Sequence, residues 1–285
     1  MSASRLDPRV TPARQDLAAA HLRGQVQAAR FVEGTLKRIF APVVSLRQAP
    51  RPDAEIQTEA LFGERATIYE TTEEGWAWGQ LEIDGYVGWL SANALTELGP
   101  PPTHRVAALG TFMFARPDIK TVPAAAFPFG CRFAIAREED KFAVSNEGGF
   151  IPLQHLVPLG HREPDYVATA RRFLGVPYLW GGRSSLGLDC SALVQLALQA
   201  AGIECPRDSD MQAGLGSAVD FGGDFSKLKR GDLVYWQSHI GFAAGEGRFL
   251  HANAHHMAVA EEPLEEAVMR NRRLGLEIAQ VRRVA

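Results

Sequence analysis

Apolar and polar positions divide the chain into stretches of different texture. Between residues 41 and 98 the apolar residues come in short runs, 41–47, 66–70, 76–83 and 85–90, rich in Val, Ile, Tyr and Trp. Turns containing Glu, Gly and Asp separate them, and this punctuation predicts a small all-β barrel or sandwich. Gly99-Pro100-Pro101-Pro102 can extend neither a ladder nor a helix and marks a boundary. A second strand-rich stretch, 103–158, has runs at 111–115, 131–136, 141–145 and 148–153. Its end echoes the first, with Gly85-Tyr86-Val87-Gly88 against Gly149-Phe150-Ile151-Pro152, each followed by a turn ending in Ala94-Leu95 or His155-Leu156. This similarity predicts an internal repeat of one small β fold.

After Pro164 the period changes. Asp165 can cap a helix through Val167, Ala170, Phe173 and Leu174, ended by Gly175. A Gly-rich turn, Trp180-Gly181-Gly182, leads to Leu188-Asp189-Cys190-Ser191 and then to a strongly apolar helix closed by Gly202, which reads as buried. Strands are predicted at 232–236, 239–244, 248–252 and 276–283. Helices followed by an antiparallel sheet make this third an α+β domain. Residues 1–40 read as a polar leader, with 17–22 a short helix and 25–32 helix or strand.

Composition narrows the function classes. At 285 residues, 46% hydrophobic and 22% charged, the chain is too apolar for disorder. A net charge of −3 leaves no basic footprint for nucleic acid or an anionic membrane. No stretch reaches the ~18 apolar residues of a membrane span, and the first residues lack the apolar core of a secretory signal. Three isolated cysteines, Cys131, Cys190 and Cys205, form neither a paired framework nor a CxxC site, which suits a reducing cytoplasm.

Of the three thiols, Cys190 has the placement of a nucleophile. It follows Asp189, a good N-cap residue, at a helix start whose unpaired N–H groups favour thiolate. His239 and His251 lie on successive predicted strands, where antiparallel pairing can bring both imidazoles to one face as a base and its orienting group. Taken singly, a cysteine opening an apolar helix also serves as a small core residue, and either histidine as a hydrogen-bonded sheet residue. Cys131 and Cys205 are assigned to packing. His251 and His255 have i, i+4 spacing, but Ala252 stands where a zinc helix carries glutamate and the context is a strand, so no metal is expected. Gly181-Gly182 lacks any phosphate-binding pattern, and no cofactor is expected.

Six segments in order, 177–182, 188–191, 206–209, 231–236, 239–241 and 250–252, resemble the motifs of the NlpC-type papain-like cysteine peptidases. The resemblance implies an α+β papain-like peptidase domain over 163–285, preceded by two small all-β SH3-like barrels over 41–98 and 103–158. It matches Cys190 to the nucleophile, His239 to the general base and His251 to the residue orienting that base. Ala192 departs from the glycine often found after Asp-Cys-Ser and adds one methyl. Two SH3-like units before such a domain resemble the γ-D-glutamyl-L-diamino-acid endopeptidases of the dipeptidyl-peptidase VI type, which act on murein-derived peptides with a free N-terminal L-Ala. That likeness places Glu64 at the substrate ammonium with Tyr86 beside it. It also places Trp180, Asp189, Ser191, Asp208 and Ser209 near the substrate, and Tyr178 with the Cys190 N–H at the oxyanion. Glu64 as a turn residue and Tyr86 as barrel core remain alternatives. So do a different amide substrate, and a non-catalytic protein that binds cell-wall peptides.

Overall fold

The structure, a computed structural model, describes residues 6–284, and the chain divides after Leu159 into two compact units. In the first unit, seven antiparallel strands run in the order Ile56–Leu61, Val43–Arg47, Val87–Ser91, Trp76–Leu81, Arg65–Thr71, Thr35–Ile39 and Leu95–Thr96. Alternation sends Ile39, Leu46, Ala66, Ile68, Leu81, Tyr86 and Leu90 into one core. Residues 103–158 form a three-stranded sheet (Arg132–Phe133, His104–Val106, Leu156–Pro158). They also form a five-stranded one (Pro123–Pro128, Gly110–Phe114, Phe150–Pro152, Phe142–Ser145, Ile135–Glu139).

The echoed motifs adopt the same corner twice. Val87–Ser91 enters a 3₁₀ turn, Ala92–Ala94, and leaves as Leu95–Thr96; Phe150–Pro152 does so through Leu153–His155 into Leu156–Pro158. Phe40 N–H donates to Ala94 O at 2.7 Å, and Ala107 N–H to His155 O at 2.8 Å. Gly63 N–H reaches Ile39 O at 2.9 Å and Gly130 N–H reaches Val106 O at 3.0 Å, with φ of +82° and +91° that favour glycine. Phe62 joins the two β regions, with its ring 5.0 Å from Phe127 and 4.8 Å from Phe133 and its carbonyl accepting Arg132 N–H at 2.8 Å.

The reading of residues 1–40 as a leader is revised for 6–40; residues 1–5 lie outside the described residues. Leu17–Ala19 is a fully buried strand, parallel to Arg30–Val32, and Ala20–Leu22 is a 3₁₀ turn rather than part of a longer helix. The Arg14 guanidinium lies 4.4 Å from the Trp78 ring centroid and 4.8 Å from that of Trp89, and Leu17 packs with the same indoles. Thr35–Ile39 is itself a strand of the seven-stranded sheet. Polar composition concealed this because the cation–π contacts of Arg14 and only three apolar residues, Leu17, Ala18 and Ala19, do the anchoring.

In the second unit a six-stranded antiparallel sheet runs Ser217–Ala218, Ile278–Arg283, Leu233–Trp236, His239–Gly245, Arg248–Asn253 and Ala258–Pro263. Helix Cys190–Ala200 packs on it and is buried on all sides except at Gln199, as its apolar run predicts. The first helix is shorter than its pattern suggests, Tyr166–Arg171, with Phe173 and Leu174 in the following turn; Asp165 caps it by accepting Ala168 N–H at 2.9 Å. No helix among the described residues is long and apolar enough to cross a membrane.

Candidate active site

Cys190 is the first residue of its helix, and Asp189 holds that end in place. The Asp189 carboxylate accepts Ala192 N–H at 2.8 Å, Gly181 N–H at 3.0 Å and the Ser191 hydroxyl at 3.1 Å. It also takes both arms of Arg207, at 2.9 and 2.7 Å. Arg207 is buried and further donates to Ser191 Oγ and Gly182 O. Five donors meet the carboxylate, so Asp189 holds the helix start in place. Arg207 lies inside the 206–209 segment, but only the fold shows what it holds.

The thiol is buried. Burial pushes it up to about 12 and the Asp189 carboxylate adds to the effect; the Ile240 N–H, Arg207 and the Ser191 N–H pull the other way. Desolvation therefore works against the helix-start effect read from the sequence and favours the thiol form. Burial and the neighbouring Cys190 and Asp189 also raise the Tyr178 phenol, which keeps its proton and can donate.

His239 opens strand His239–Gly245 after the two-residue turn Gln237-Ser238, whose Ser238 has φ +68°. The register Phe242↔Leu250 makes His239 and His251 diagonal neighbours on one face. Their rings hydrogen-bond, His239 Nε2 to His251 Nδ1, at 2.8 Å. Gly241 makes room for this: a Cβ there would lie 2.7 Å from His251 Cβ and 2.6 Å from Phe249 Cζ. Burial holds His239 down to about 3, helped by His251 and Arg270, so it rests as neutral imidazole.

Behind His251, its Nε2 lies 2.8 Å from Glu262 Oε1 and 3.0 Å from Asn253 Nδ2. Arg270 clamps Glu262 through both guanidinium arms. Burial alone would raise the Glu262 carboxyl, but hydrogen bonds from Arg270 and His251 outweigh it and keep it well below the carboxylate range. None of Glu262, Arg270 and Asn253 was readable as a site residue from sequence. His251, His256 and Glu262 bring ligand-type atoms within 4.8 Å of one another, a grouping different from the His251-His255 spacing. With Arg270 already on the carboxylate, the geometry is that of a hydrogen-bonded relay.

Trp180 is 59% exposed on its turn, and Asp208 and Ser209 are partly buried at the start of the short helix Ser209–Gln212. Ser191 Oγ is held between Asp189 and Arg207. In the first unit Tyr86 belongs to the barrel core, and Glu64 is buried with its carboxylate accepting Leu61 N–H at 3.0 Å.

A thiol at a helix start, beside a sheet that carries two linked imidazoles, defines a papain-like cysteine hydrolase. Comparison with known proteins agrees: residues 175–277 match the NlpC/P60 family and residues 46–95 the bacterial dipeptidyl-peptidase SH3 domain. The chain thus carries an NlpC/P60 peptidase domain and a bacterial SH3 domain, and it is a hydrolase whose site fits the cysteine-peptidase type. It is 29% identical over 228 residues to the γ-D-glutamyl-L-lysine dipeptidyl-peptidase of Bacillus subtilis, covering 70% of this chain and 73% of that protein. With dipeptidyl-peptidase 6 of Lysinibacillus sphaericus it shares 24% over 242 residues, 75% of this chain and 86% of the relative. The crystal structure of an NlpC/P60 family protein from Bacillus cereus has the same fold, with TM-score 0.73 at 21% identity, covering 87% of this chain and 99% of that one.

Proposed function

We propose that the protein hydrolyses the amide bond between γ-D-glutamate and an L-diamino acid, meso-diaminopimelate or lysine, in free murein peptides that begin with an unblocked L-Ala. The observation that carries this reading is the linked His239–His251 pair on the sheet under the Cys190 helix, in a chain similar to γ-D-glutamyl dipeptidyl-peptidases over most of its length. The second β region, with its repeated corner, is read as a second SH3-like barrel. Three cysteines with no disulfide among the described residues suit a reducing cytoplasm, where soluble recycled peptides would be the substrate.

In this mechanism Cys190 passes its proton to His239 as its sulfur attacks the γ-carbonyl. The oxyanion is held by the Cys190 N–H and the Tyr178 hydroxyl. The His239 imidazolium protonates the departing amine, leaving a thioester. His239 then takes a proton from water, hydroxide attacks the thioester, L-Ala-D-Glu leaves, and the proton returns to the thiolate. His251 keeps His239 oriented. Asp189 and Arg207 hold the helix start, and Asp189, Ser191, Trp180, Asp208 and Ser209 are the residues expected near substrate. Selectivity for a free amine is assigned to Glu64 and Tyr86 through the resemblance.

The test is incubation, under reducing conditions, of L-Ala-γ-D-Glu-diaminopimelate, its lysine counterpart and their N-acetylated forms, read by mass spectrometry. Release of L-Ala-D-Glu from the free peptides, lost in Cys190→Ser, is the expected result. No cleavage of any peptide refutes the substrate assignment, and equal cleavage of acetylated peptides removes the role of Glu64 and Tyr86.

A further inference from the structure

Two imidazoles in a hydrogen-bonded chain can carry their protons in two opposite directions, and only one leaves His239 able to act as a base. If His251 carries hydrogen on Nε2, its bare Nδ1 accepts from His239 Nε2–H, and His239 Nδ1 is free to take a proton. If His251 carries it on Nδ1, it donates to His239 Nε2, and the His239 hydrogen sits on Nδ1, the wrong nitrogen. The 2.8 Å contact between the rings is compatible with both.

The surroundings of His251 Nε2 break this symmetry. Glu262 Oε1 lies 2.8 Å away, and Asn253 Nδ2, a donor, lies 3.0 Å away. Asn253 Oδ1 accepts His256 N–H at 2.8 Å, which fixes the amide with its nitrogen toward His251. The two neighbours therefore ask for opposite tautomers. An ionised carboxylate accepts only, and its charge-assisted bond is roughly twice as strong as a neutral one. A lone pair facing that carboxylate would be repelled, so Glu262 prevails.

We propose that Glu262, clamped by Arg270, is a positioning residue that fixes His251 as its Nε2–H tautomer and so leaves His239 Nδ1 to accept the Cys190 proton. This rests on the roles given above to Cys190, His239 and His251. The local fold places both groups: His251 pairs with Ala260, which puts Glu262 at the diagonal on the same face. The chain then turns at Pro263 into helix Leu264–Arg273, whose second turn returns Arg270 to the carboxylate. The Arg270 charge offsets that of Glu262, so the pair imposes direction without adding net charge beside the imidazoles.

Histidine-selective ¹⁵N NMR on the intact, substrate-free protein reads the tautomer directly. The expected spectrum has His251 Nε2 protonated and Nδ1 bare; the reverse pattern in the wild-type protein overturns the proposal. In Glu262→Gln, the carboxamide oxygen turns to Arg270 and its N–H₂ faces His251, which should invert the tautomer. Turnover should then fall at least about 100-fold with KM within about threefold, since a wrong-tautomer triad in a serine protease loses roughly 10⁴ in kcat. Unchanged kcat in a variant that melts as the wild type does also overturns it. The tautomer is measured without substrate. A wild-type protein that cleaves no murein peptide would sink the substrate assignment and leave this result standing.

Discussion

Gly241 has almost no spare room. Its missing side chain leaves the space that His251 and Phe249 occupy, and a methyl group would also meet Leu250 O at 2.7 Å, a backbone atom that cannot swing aside. Gly241→Ala is therefore expected to push the His251 strand outward. A misplacement of about 1 Å in such a constellation costs roughly 100-fold in rate. Steady-state kinetics should show the loss in kcat, and wild-type turnover would show that the sheet absorbs the methyl. Cys190 offers a second measurement at this scale. Burial raises its thiol to about 12 and lowers His239 to about 3, and both shifts favour the neutral pair in the resting enzyme. Alkylation of Cys190 by iodoacetamide should keep rising with pH from 7 through 9. A rate already flat at pH 6 would mean a preformed thiolate–imidazolium pair. The position of Cys190 was legible in the sequence, because Asp189 is a good cap ahead of an apolar run. Its protonation state was not, because desolvation depends on what the fold packs around it.

The start of helix Cys190–Ala200 is held by its cap, Asp189, and by Arg207, sixteen positions beyond Ser191, which bonds both Asp189 and Ser191. Asp189→Ala would remove the cap and strand the Arg207 guanidinium in the interior. Breaking a buried ion pair from one side costs about 3–5 kcal/mol. Urea unfolding should show a loss of that order, and a loss below about 1 kcal/mol would mean that water reaches Arg207 in the variant. The four strands read from sequence, at 232–236, 239–244, 248–252 and 276–283, carry continuous or alternating apolar residues, and all four are found to within two residues. Ala258–Pro263 was missed because Glu261, Glu262 and Pro263 give it the look of a loop, although Glu262 is buried against His251. The helix after it had a signal: Leu264, Ala267 and Val268 repeat at helical spacing and are buried. Arg270 lies on that helix, so the same oversight hid both groups behind His251.

At the scale of the whole chain, the two units differ in the kind of group they bury. The first surrounds its apolar core with a few buried charged groups, Glu59, Glu64 and Arg105, and its repeated corner was visible in sequence because the same strand ends recur, each behind a positive-φ glycine, Gly85 or Gly149. The second buries two neutral imidazoles, and this should make it the acid-sensitive unit. The sign follows from comparing protonation in the folded and unfolded chains. His239 is held down to about 3 in the folded protein, and an unfolded histidine titrates near 6.5. Above about 6.5 it is neutral in both states and its contribution to stability is complete. As the pH falls below that value the unfolded chain gains a proton that the folded one refuses, and stability is lost until the pH approaches 3. At 1.36 kcal/mol per unit, the loss at pH 5 is about 2 kcal/mol, and nearer 1 once the partial exposure of His239 is allowed for. His251 is depressed in the same direction by its burial. Glu262, kept ionised by Arg270 and His251, adds a further loss only below the ordinary carboxylate range. Hydrogen exchange on the intact chain between pH 7 and 5, corrected for intrinsic rates, should show protection falling in residues 160–284 while residues 6–159 change little. His239→Gln should remove part of the fall. If both units weaken equally, or if His239→Gln leaves the slope untouched, the buried imidazoles are not the source of the acid sensitivity.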